Sequence, residues 1–542
     1  MRASVSRADS STAARCQRVP VPSPGGYRRH RPEQTVLYQC VEQHWDAFVE
    51  RAEQAGGLPR FVTREFEAYL KCGRLEYGCL RLGCRACGYE QLVAWSCKKR
   101  GFCPSCLGRR MTLAAVHLEQ NVLPEVPLRQ WVCTLPWRLR YLCGYDKALC
   151  RDVLNAFIAE VMRSLRHRAK KAWDLSSVSQ AHPGSVTFIQ RFDSALRLNV
   201  HFHTLALDGV YVRNEHGELE FLETGEPTAA EVADVARRTA KRVANVLERH
   251  GRSARAILGY DASDDDYDDY DNGAGDDTDP LQEQQLALAS CYGAAARGTT
   301  LFGTRAGQPT LRLVQPSDAR ATAPAAAIMG FDVHAKVAID GRDRKRVERI
   351  CRYLGRPPIA TDRLEWLDDG RLRYTMKKAW SDGTHALVFE PLDLIARLCA
   401  MIPPPRFHMV RYHGVLSSHA SRRPEVVPEP PPPDSGVVPQ LPQQLELFCI
   451  QANGDHRDDV PQHRPSRKRW SWLLKHVFSA DLQRCPNCSG PLRWLEVATT
   501  KDAIARLLER HGEADAIIAA PKTRAPRAPP PAQLRLDFHP SA

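Results

Sequence analysis

The sequence predicts an α+β fold spread over several domains, and three observations carry that prediction. Two strand-like runs, 186–192 and 199–205, are separated by a short polar link and read as an antiparallel hairpin. Apolar residues recur at helical spacing in 146–168 and 231–250. Seven of the 18 cysteines crowd between Cys72 and Cys106, the mark of a small metal-bound module. At 542 residues the chain exceeds one ordinary domain and has the apolar content for a sizeable core.

The formal net charge is +13. The window from Asp261 to Asp279 is packed with aspartates and holds no base, so the rest of the chain is more basic than the total suggests. That balance favours a polyanionic partner, nucleic acid ahead of a membrane surface. No apolar run is long enough to span a bilayer, and the N-terminus has no apolar signal core. A cytoplasmic location, with reduced cysteines, is therefore expected.

Residues 1–34 mix Ser, Arg and Pro and read as a disordered basic arm. A helical lead-in and zinc-binding module is expected over 35–125. Its first helix covers 35–54 and stops at Gly56, Gly57 and Pro59; a second covers 63–70, with Thr63 as N-cap. The cysteines follow, with two C-x2-C pairs: Cys84 with Cys87, and Cys103 with Cys106. Each pair can offer two thiolates from one tight turn. Together the four are expected to close one tetrahedral shell around Zn2+. Cys72, Cys79 and Cys97 are surplus to that shell. Lys98, Lys99, Arg100, Arg109 and Arg110 surround the second pair, interleaved with Trp95 and Phe102, which suggests contact with nucleic acid.

A second domain is expected over 126–420. It begins with a strand at 130–135 and the helix at 146–168, and continues into the hairpin. In its second strand His201 and His203 flank Phe202. Strand side chains alternate faces, so both imidazoles point one way and can grip one metal ion, while Val200 and Phe202 can pack on a core. An Asp208-Gly209 turn precedes a strand at 210–212. The acidic insert, about 260–280, lacks the ligand spacing of an EF-hand and reads as a disordered loop. After a strand at 330–339, Asp343 begins a helix with Val347, Ile350, Cys351 and Leu354 on its apolar side, ended by Gly355 and Pro357. Tyr353 lies beside that stripe, with Arg346, Arg349 and Arg356 on the adjoining polar side. Two further strands are expected at 374–380 and 385–390. A proline-rich linker spans 421–445. The segment 446–515 is basic and carries a lone C-x2-C, Cys485 and Cys488, half a zinc site whose partners the sequence leaves open. A Pro-Arg-Ala tail covers 516–542.

Zinc module, H-x-H strand and tyrosine helix occur in an order that resembles the rolling-circle transposases of the insertion sequence 91 family, members of the HUH nuclease superfamily. The likeness rests on Ser96 to Cys106, Val186 to Phe192, His201-Phe202-His203 and Arg352-Tyr353-Leu354-Gly355-Arg356, with Arg411 to Leu416 similar to the end of the catalytic region. It covers roughly residues 60–425. The resemblance implies a nuclease domain with a central antiparallel sheet flanked by helices, behind a zinc-binding DNA-contact domain. It implies cleavage and rejoining of single DNA strands at element ends and targets. Tyr353 would be the nucleophile, and His201 and His203 would hold Mg2+ or Mn2+. A third ligand is expected in the superfamily; His334 and Gln190 are the candidates. Arg349 and Arg356 would hold flanking phosphates.

Two-tyrosine members of the family place a second tyrosine four residues after the first, where this chain has Pro357. That departure resembles the single-tyrosine branch typified by common-region element transposases. A homo-oligomer that shares the work is left open. So are two other readings: an inactive zinc-finger DNA-binding protein, and a plasmid replication initiator or relaxase of the same superfamily.

Overall fold

A computed structural model describes residues 30–258, 279–315, 327–428 and 484–513. The expected basic arm, acidic insert, proline-rich linker and C-terminal tail lie wholly or mostly outside the described residues.

The chain enters through two helices. In α1 (Val36–Glu53) the Thr35 hydroxyl accepts the N–H of Tyr38 and caps the first turn. Helix α2 (Arg60–Lys71) starts at Pro59, earlier than the expected Thr63 cap. Pro59 already has the extended backbone of a cap residue, and Thr63 sits inside the helix, its hydroxyl donating to the Arg60 carbonyl at 3.2 Å. Strands β1 (Cys79–Cys84) and β2 (Glu90–Ala94) form an antiparallel hairpin. Helix α3 (Pro104–Asn121) follows, with Cys103 as N-cap and Pro104 at the first helical position.

The central sheet is antiparallel throughout. Its strands are β3 (Leu128–Thr134), β4 (Gly184–Phe192), β5 (Leu198–Leu207), β9 (Ala327–Ile328), β10 (Phe331–Ile339) and β14 (Val410–Gly414). Their spatial order is β14-β4-β5-β3-β10-β9, so β5, the histidine strand, lies in the interior. The predicted hairpin forms between β4 and β5, with Gln190 opposite His201 and Phe188 opposite His203. All nine residues of β4 are buried, as expected of a strand covered on both faces.

The two faces bury different cores. Trp131, Ile189, Val200, Phe202, Phe331 and Val333 point to one side. There they meet α4 (Trp137–Tyr145), α5 (Lys147–Trp173) and α6 (Ala229–Arg249). Asp146 caps α5 by accepting from Ala148 and Leu149, and a Thr228–Glu231 capping box starts α6. Val186, Phe188, Leu205 and Leu207 point to the other side. They pack with Ala115 and Leu118 of α3 and with Val347, Cys351 and Leu354 of α10 (Arg344–Leu354). Each fully buried side chain of this size contributes ~1.5–3 kcal/mol relative to exposure.

The remaining elements frame this layer. Strands β6 (Gly209–Arg213) and β7 (Leu219–Glu223) form a hairpin. Helices α7 (Ala254–Leu258), α8 (Pro280–Gln284), α9 (Leu286–Arg297) and α11 (Pro391–Met401) extend the larger core. A second sheet, β11-β12-β13-β8, is built from β8 (Leu311–Val314), β11 (Leu364–Trp366), β12 (Leu372–Thr375) and β13 (Thr384–Phe389). Arg191, fully buried, donates to the carbonyls of Gly144 (2.6 Å) and Ala400 (3.0 Å) and to the Tyr292 hydroxyl (3.0 Å). It therefore ties α4, α9 and α11 to β4. A short helix α12 (Arg423–Val426) closes this part of the chain.

The C-terminal segment then returns to the N-terminal module. Strand β15 (Leu492–Ala498) pairs with β1 along its whole length, from Cys79 opposite Ala498 to Cys84 opposite Leu492. Helix α13 (Lys501–Arg510) caps the new sheet, burying Ile504, Leu507 and Leu508 with Leu75, Cys79, Leu92 and Ala498. Cys79, one of the surplus cysteines, is thus a packing residue of this small core.

Candidate active site and zinc centres

His201 and His203 stand on the sheet face that α3 and α10 cover. Their Nε2 atoms are 3.1 Å apart. Each Nδ1 has its own partner: His201 lies 2.7 Å from the Asn199 carbonyl, and His203 lies 2.8 Å from the Gln130 side-chain amide. A carbonyl partner makes the His201 Nδ1–H the donor and leaves its Nε2 lone pair facing the site. The Gln130 atom facing His203 Nδ1 is Nε2; with its amide turned over, the oxygen would accept from Nδ1–H and leave the His203 Nε2 lone pair facing the site as well. Two ligands ~2.1 Å from one ion, at a right angle, stand ~3.0 Å apart. The observed separation fits one divalent ion held between the two rings.

Burial keeps both rings neutral. It pushes the His201 imidazole down to about 4. It pushes His203 down to about 2, with the charges of His201, Arg356 and His334 adding to the effect. Neutral imidazole is the form that binds metal.

Tyr353 lies over this pair. Its ring centre is 6.5 Å from that of His203, and the residue is 48 % exposed. Helix α10 brings it there for identifiable reasons. Asp343 caps the helix by accepting from Arg346 N–H, and Val347, Cys351 and Leu354 pin its apolar side to the sheet. Gln190 then donates from Nε2 to the Leu354 carbonyl at 2.8 Å, satisfying an end group of the helix. Arg356 stacks on the Tyr353 ring, its guanidinium carbon 4.4 Å from the ring centre, with Phe192 behind it at 5.7 Å. Its Nη1 is buried with no hydrogen-bond partner among the described residues. Arg349, one helical turn before Tyr353, is exposed.

The two candidates for a third ligand part ways. His334 lies on β10, one strand beyond β3, opposite Val132. Among the described residues, no third His, Cys, Asp or Glu closes on the pair within ligand distance, so the fold does not bring His334 to it. Gln190 sits directly opposite His201, and its Oε1 is buried without a partner. Gln130 was invisible as a site residue in the sequence, because only the pairing of β3 with β5 sets it beside His203.

The cysteines assemble differently from the expected single shell. Cys103 and Cys106 do not join Cys84 and Cys87. They gather with Cys72 and Cys97, at Sγ separations of 3.7 Å for Cys72–Cys106, 3.3 Å for Cys97–Cys106 and 3.7 Å for Cys72–Cys103. Cys84 and Cys87 instead meet Cys485 and Cys488. The reason is the length of β1. Cys84 and Cys87 lie at the turn end of the hairpin, whereas Cys72, Cys97 and Cys103 lie near its open end. Five strand steps between Cys79 and Cys84 place those ends ~17 Å apart, too far for one ion. A tetrahedral S4 shell with Zn–S ~2.3 Å has sulfurs ~3.8 Å apart, and the first group matches it.

The basic residues take several positions. Lys98, Lys99 and Arg100 lie on the link between Cys97 and Cys103, and Arg109 and Arg110 on the next turns of α3. Arg110 donates to the Lys98 carbonyl at 2.6 Å, and Arg100 to the Phe407 carbonyl at 3.4 Å. The Glu65 carboxylate accepts the Gly101 N–H at 3.0 Å and fastens this link to α2. Phe102 is not available for stacking on bases. It is fully buried between Phe66 and Tyr69, at ring separations of 4.6 and 4.9 Å, because it anchors α3 to α2. Trp95 is exposed.

Two parts of the chain match known protein families. Residues 40–135 match a family described as "Transposase zinc-binding domain", and residues 184–424 match one described as "Putative transposase". The "Transposase for insertion sequence element IS801" of Pseudomonas savastanoi pv. phaseolicola is 29% identical over 382 residues, covering 70% of this chain and 75% of that protein. Together these matches support an insertion sequence 91 family transposase. No solved structure matches it. An insertion sequence 91 family transposase acts in DNA transposition, as a DNA-cleaving and strand-transferring enzyme. The zinc-binding match spans all four residues of the Cys72, Cys97, Cys103 and Cys106 group, whose geometry supports a structural zinc there. No described helix is long and apolar enough to cross a membrane.

Proposed function

We propose that this transposase cuts and rejoins single DNA strands through a 5′-phosphotyrosine formed on Tyr353. The observation that carries the reading is the placement of Tyr353 over the 3.1 Å pair of imidazole nitrogens. In the first step the Tyr353 oxygen gives up its proton and attacks the scissile phosphorus. An Oη–P bond forms, the P–O3′ bond breaks, and the departing 3′ oxygen takes up a proton. In the second, a 3′ hydroxyl attacks the same phosphorus, releases Tyr353 and restores a phosphodiester.

A divalent ion, Mg2+ or Mn2+, supplies polarisation of the phosphate oxygens when bound. His201 and His203 would hold it, with the Gln190 Oε1 as third ligand. Imidazole donors suit Mn2+ better than Mg2+. Arg356 and Arg349 would take the flanking phosphates. Arg356 also lies against the face of the nucleophile's ring, its guanidinium carbon 4.4 Å from the ring centre. Lys98, Lys99, Arg100, Arg109 and Arg110 would extend the contact along single-stranded DNA at element ends and targets. With Pro357 where a second tyrosine would stand, Tyr353 either acts twice or shares the two steps with a second copy of the chain.

The test is covalent capture of a 3′-labelled set of single-stranded oligonucleotides spanning candidate element ends, in Mn2+. Wild type should yield a protein–DNA adduct, and Tyr353→Phe none. Absence of a wild-type adduct on every end, or an equal adduct with Tyr353→Phe, would overturn the proposal.

A further inference from the structure

We infer that Cys84, Cys87, Cys485 and Cys488 form a second zinc site, which clasps the C-terminal segment to the N-terminal module. Their ligand atoms all lie within 4.8 Å of one another, with Cys84–Cys488 and Cys87–Cys485 both at 3.4 Å. Cys87 and Cys485 are 398 residues apart in sequence. The zinc-binding match ends at residue 135 and holds only half of this group.

Proximity alone is not the argument; the two halves have the same backbone. Cys84 N–H donates to the Tyr89 carbonyl at 2.8 Å, and Cys485 N–H to the Gly490 carbonyl at 2.7 Å. Gly88 N–H donates back to the Cys84 carbonyl at 3.0 Å, and Ser489 N–H to the Cys485 carbonyl at 2.8 Å. Gly88 and Ser489 occupy the same left-handed position, at φ 72° and 59°. The second cysteine of each half receives the N–H of the residue two further on, Tyr89 for Cys87 and Gly490 for Cys488. Each half is therefore the same tight turn, with N–H groups aimed at sulfur. Such turns stabilise thiolates and present both sulfurs of a C-x2-C to one side. The Cys103–Cys106 pair is built otherwise, on the first turn of a helix.

The two turns face each other closely. A Cβ on Gly490 would stand 3.3 Å from Cys488 Sγ and 3.5 Å from Cys84 Sγ, so a side chain there would crowd the sulfurs. Four thiolates this close repel one another unless a cation sits among them. The site also meets a structural need. The sheet β15-β1-β2 and α13 share a core of only seven buried residues. A core that small rarely holds two distant chain segments together without a staple.

The test counts metal on the full-length chain, purified under reducing conditions and measured by native mass spectrometry after zinc equilibration. With the histidine pair removed by His201→Asn/His203→Asn, the chain should carry two zinc ions, and one when Cys485→Ser/Cys488→Ser is added. Hydrogen exchange should then quicken at least ten-fold at the amides of β1 and β15 in that variant, with α10 unchanged. In that histidine-free background, one zinc with all four cysteines present, two zincs without Cys485 and Cys488, or recovery of the four cysteines as disulfides would overturn the inference. So would unchanged exchange in β15. Should the chain without Cys485 and Cys488 fail to fold, the count with all four cysteines stands alone, and Cys488→His in the same background, which keeps a ligand, should retain two ions.

Discussion

Arg344 on the tyrosine helix is ion-paired to Glu119 on the helix that starts at the first zinc centre, Nε to Oε1 at 3.1 Å. The same guanidinium also donates to the carbonyls of Leu123, at 3.0 Å, and of Glu119. One arginine thus closes the C-terminal end of α3 and joins it to α10. Metal at one end of α3 and Arg344 at the other hold the surface on which Tyr353 is mounted.

Arg344→Ala should therefore cost about 2–3 kcal/mol of stability, since it strips a partly buried carboxylate and two helix-end carbonyls of their donor. Chemical denaturation measures this. Covalent capture should slow more than DNA affinity falls, because the loss is in the placement of Tyr353. Equal losses in both would point to a direct DNA contact instead.

Removing the first zinc should reach the same place from the other end. Cys106→Ser should lower adduct yield at least ten-fold although Cys106 touches no active-site group. Near-normal adduct in a chain shown to lack that ion would break the link between the zinc module and the tyrosine.

Gln130→Leu removes the partner of the His203 Nδ1. Metal affinity should fall about 10–100-fold, the usual effect of losing a group that orients a ligand histidine. A Mn2+ titration of adduct formation gives the number, and Gln130→Glu, which restores an acceptor, should recover most of it.

Arg356→Gln should weaken capture about 10–100-fold and reduce the salt dependence of DNA binding by roughly one phosphate contact. Arg356→Lys should rescue poorly, because a lysine keeps the charge but not the planar stack on Tyr353.

Acid should destabilise the apo chain through the histidine pair. Burial sets the folded values, about 4 for His201 and about 2 for His203, below an unfolded value of about 6.5. The unfolded chain therefore binds protons first. The contribution is complete above about pH 6.5 and is lost as pH falls through the folded values, at up to about 1.4 kcal/mol per unit for each ring. Urea midpoints from pH 7 to 4.5 should fall more steeply for the apo wild type than for apo His201→Asn/His203→Asn. Parallel curves would mean that the rings are not buried as neutral groups.

Much of the candidate site's local structure was legible because its signals are local. The alternation in 199–205 set both imidazoles on one face, and Asp343 to Pro357 marked the tyrosine helix at both ends. What was hidden depends on distance in sequence. Gln130 reaches His203 only through the register of β3 against β5. The cysteines were misgrouped because spacing cannot report how far a six-residue strand carries its ends apart. Arg191 stands in a stretch that carries the family likeness, yet its three hydrogen bonds all go inward to helix ends and Tyr292, a structural duty.

The strand that completes the N-terminal sheet is made long after the strand it pairs with. At a synthesis rate of about 5–20 residues per second, the 398 residues from Cys87 to Cys485 take roughly 20–80 s to emerge. Throughout that interval β1 has an open edge. A message truncated beyond residue 428 would yield a protein with Tyr353, both histidines and the first zinc centre, yet with an unfinished sheet beside them. Completion of the N-terminal module thereby waits on translation of the segment that carries Cys485, Cys488 and β15.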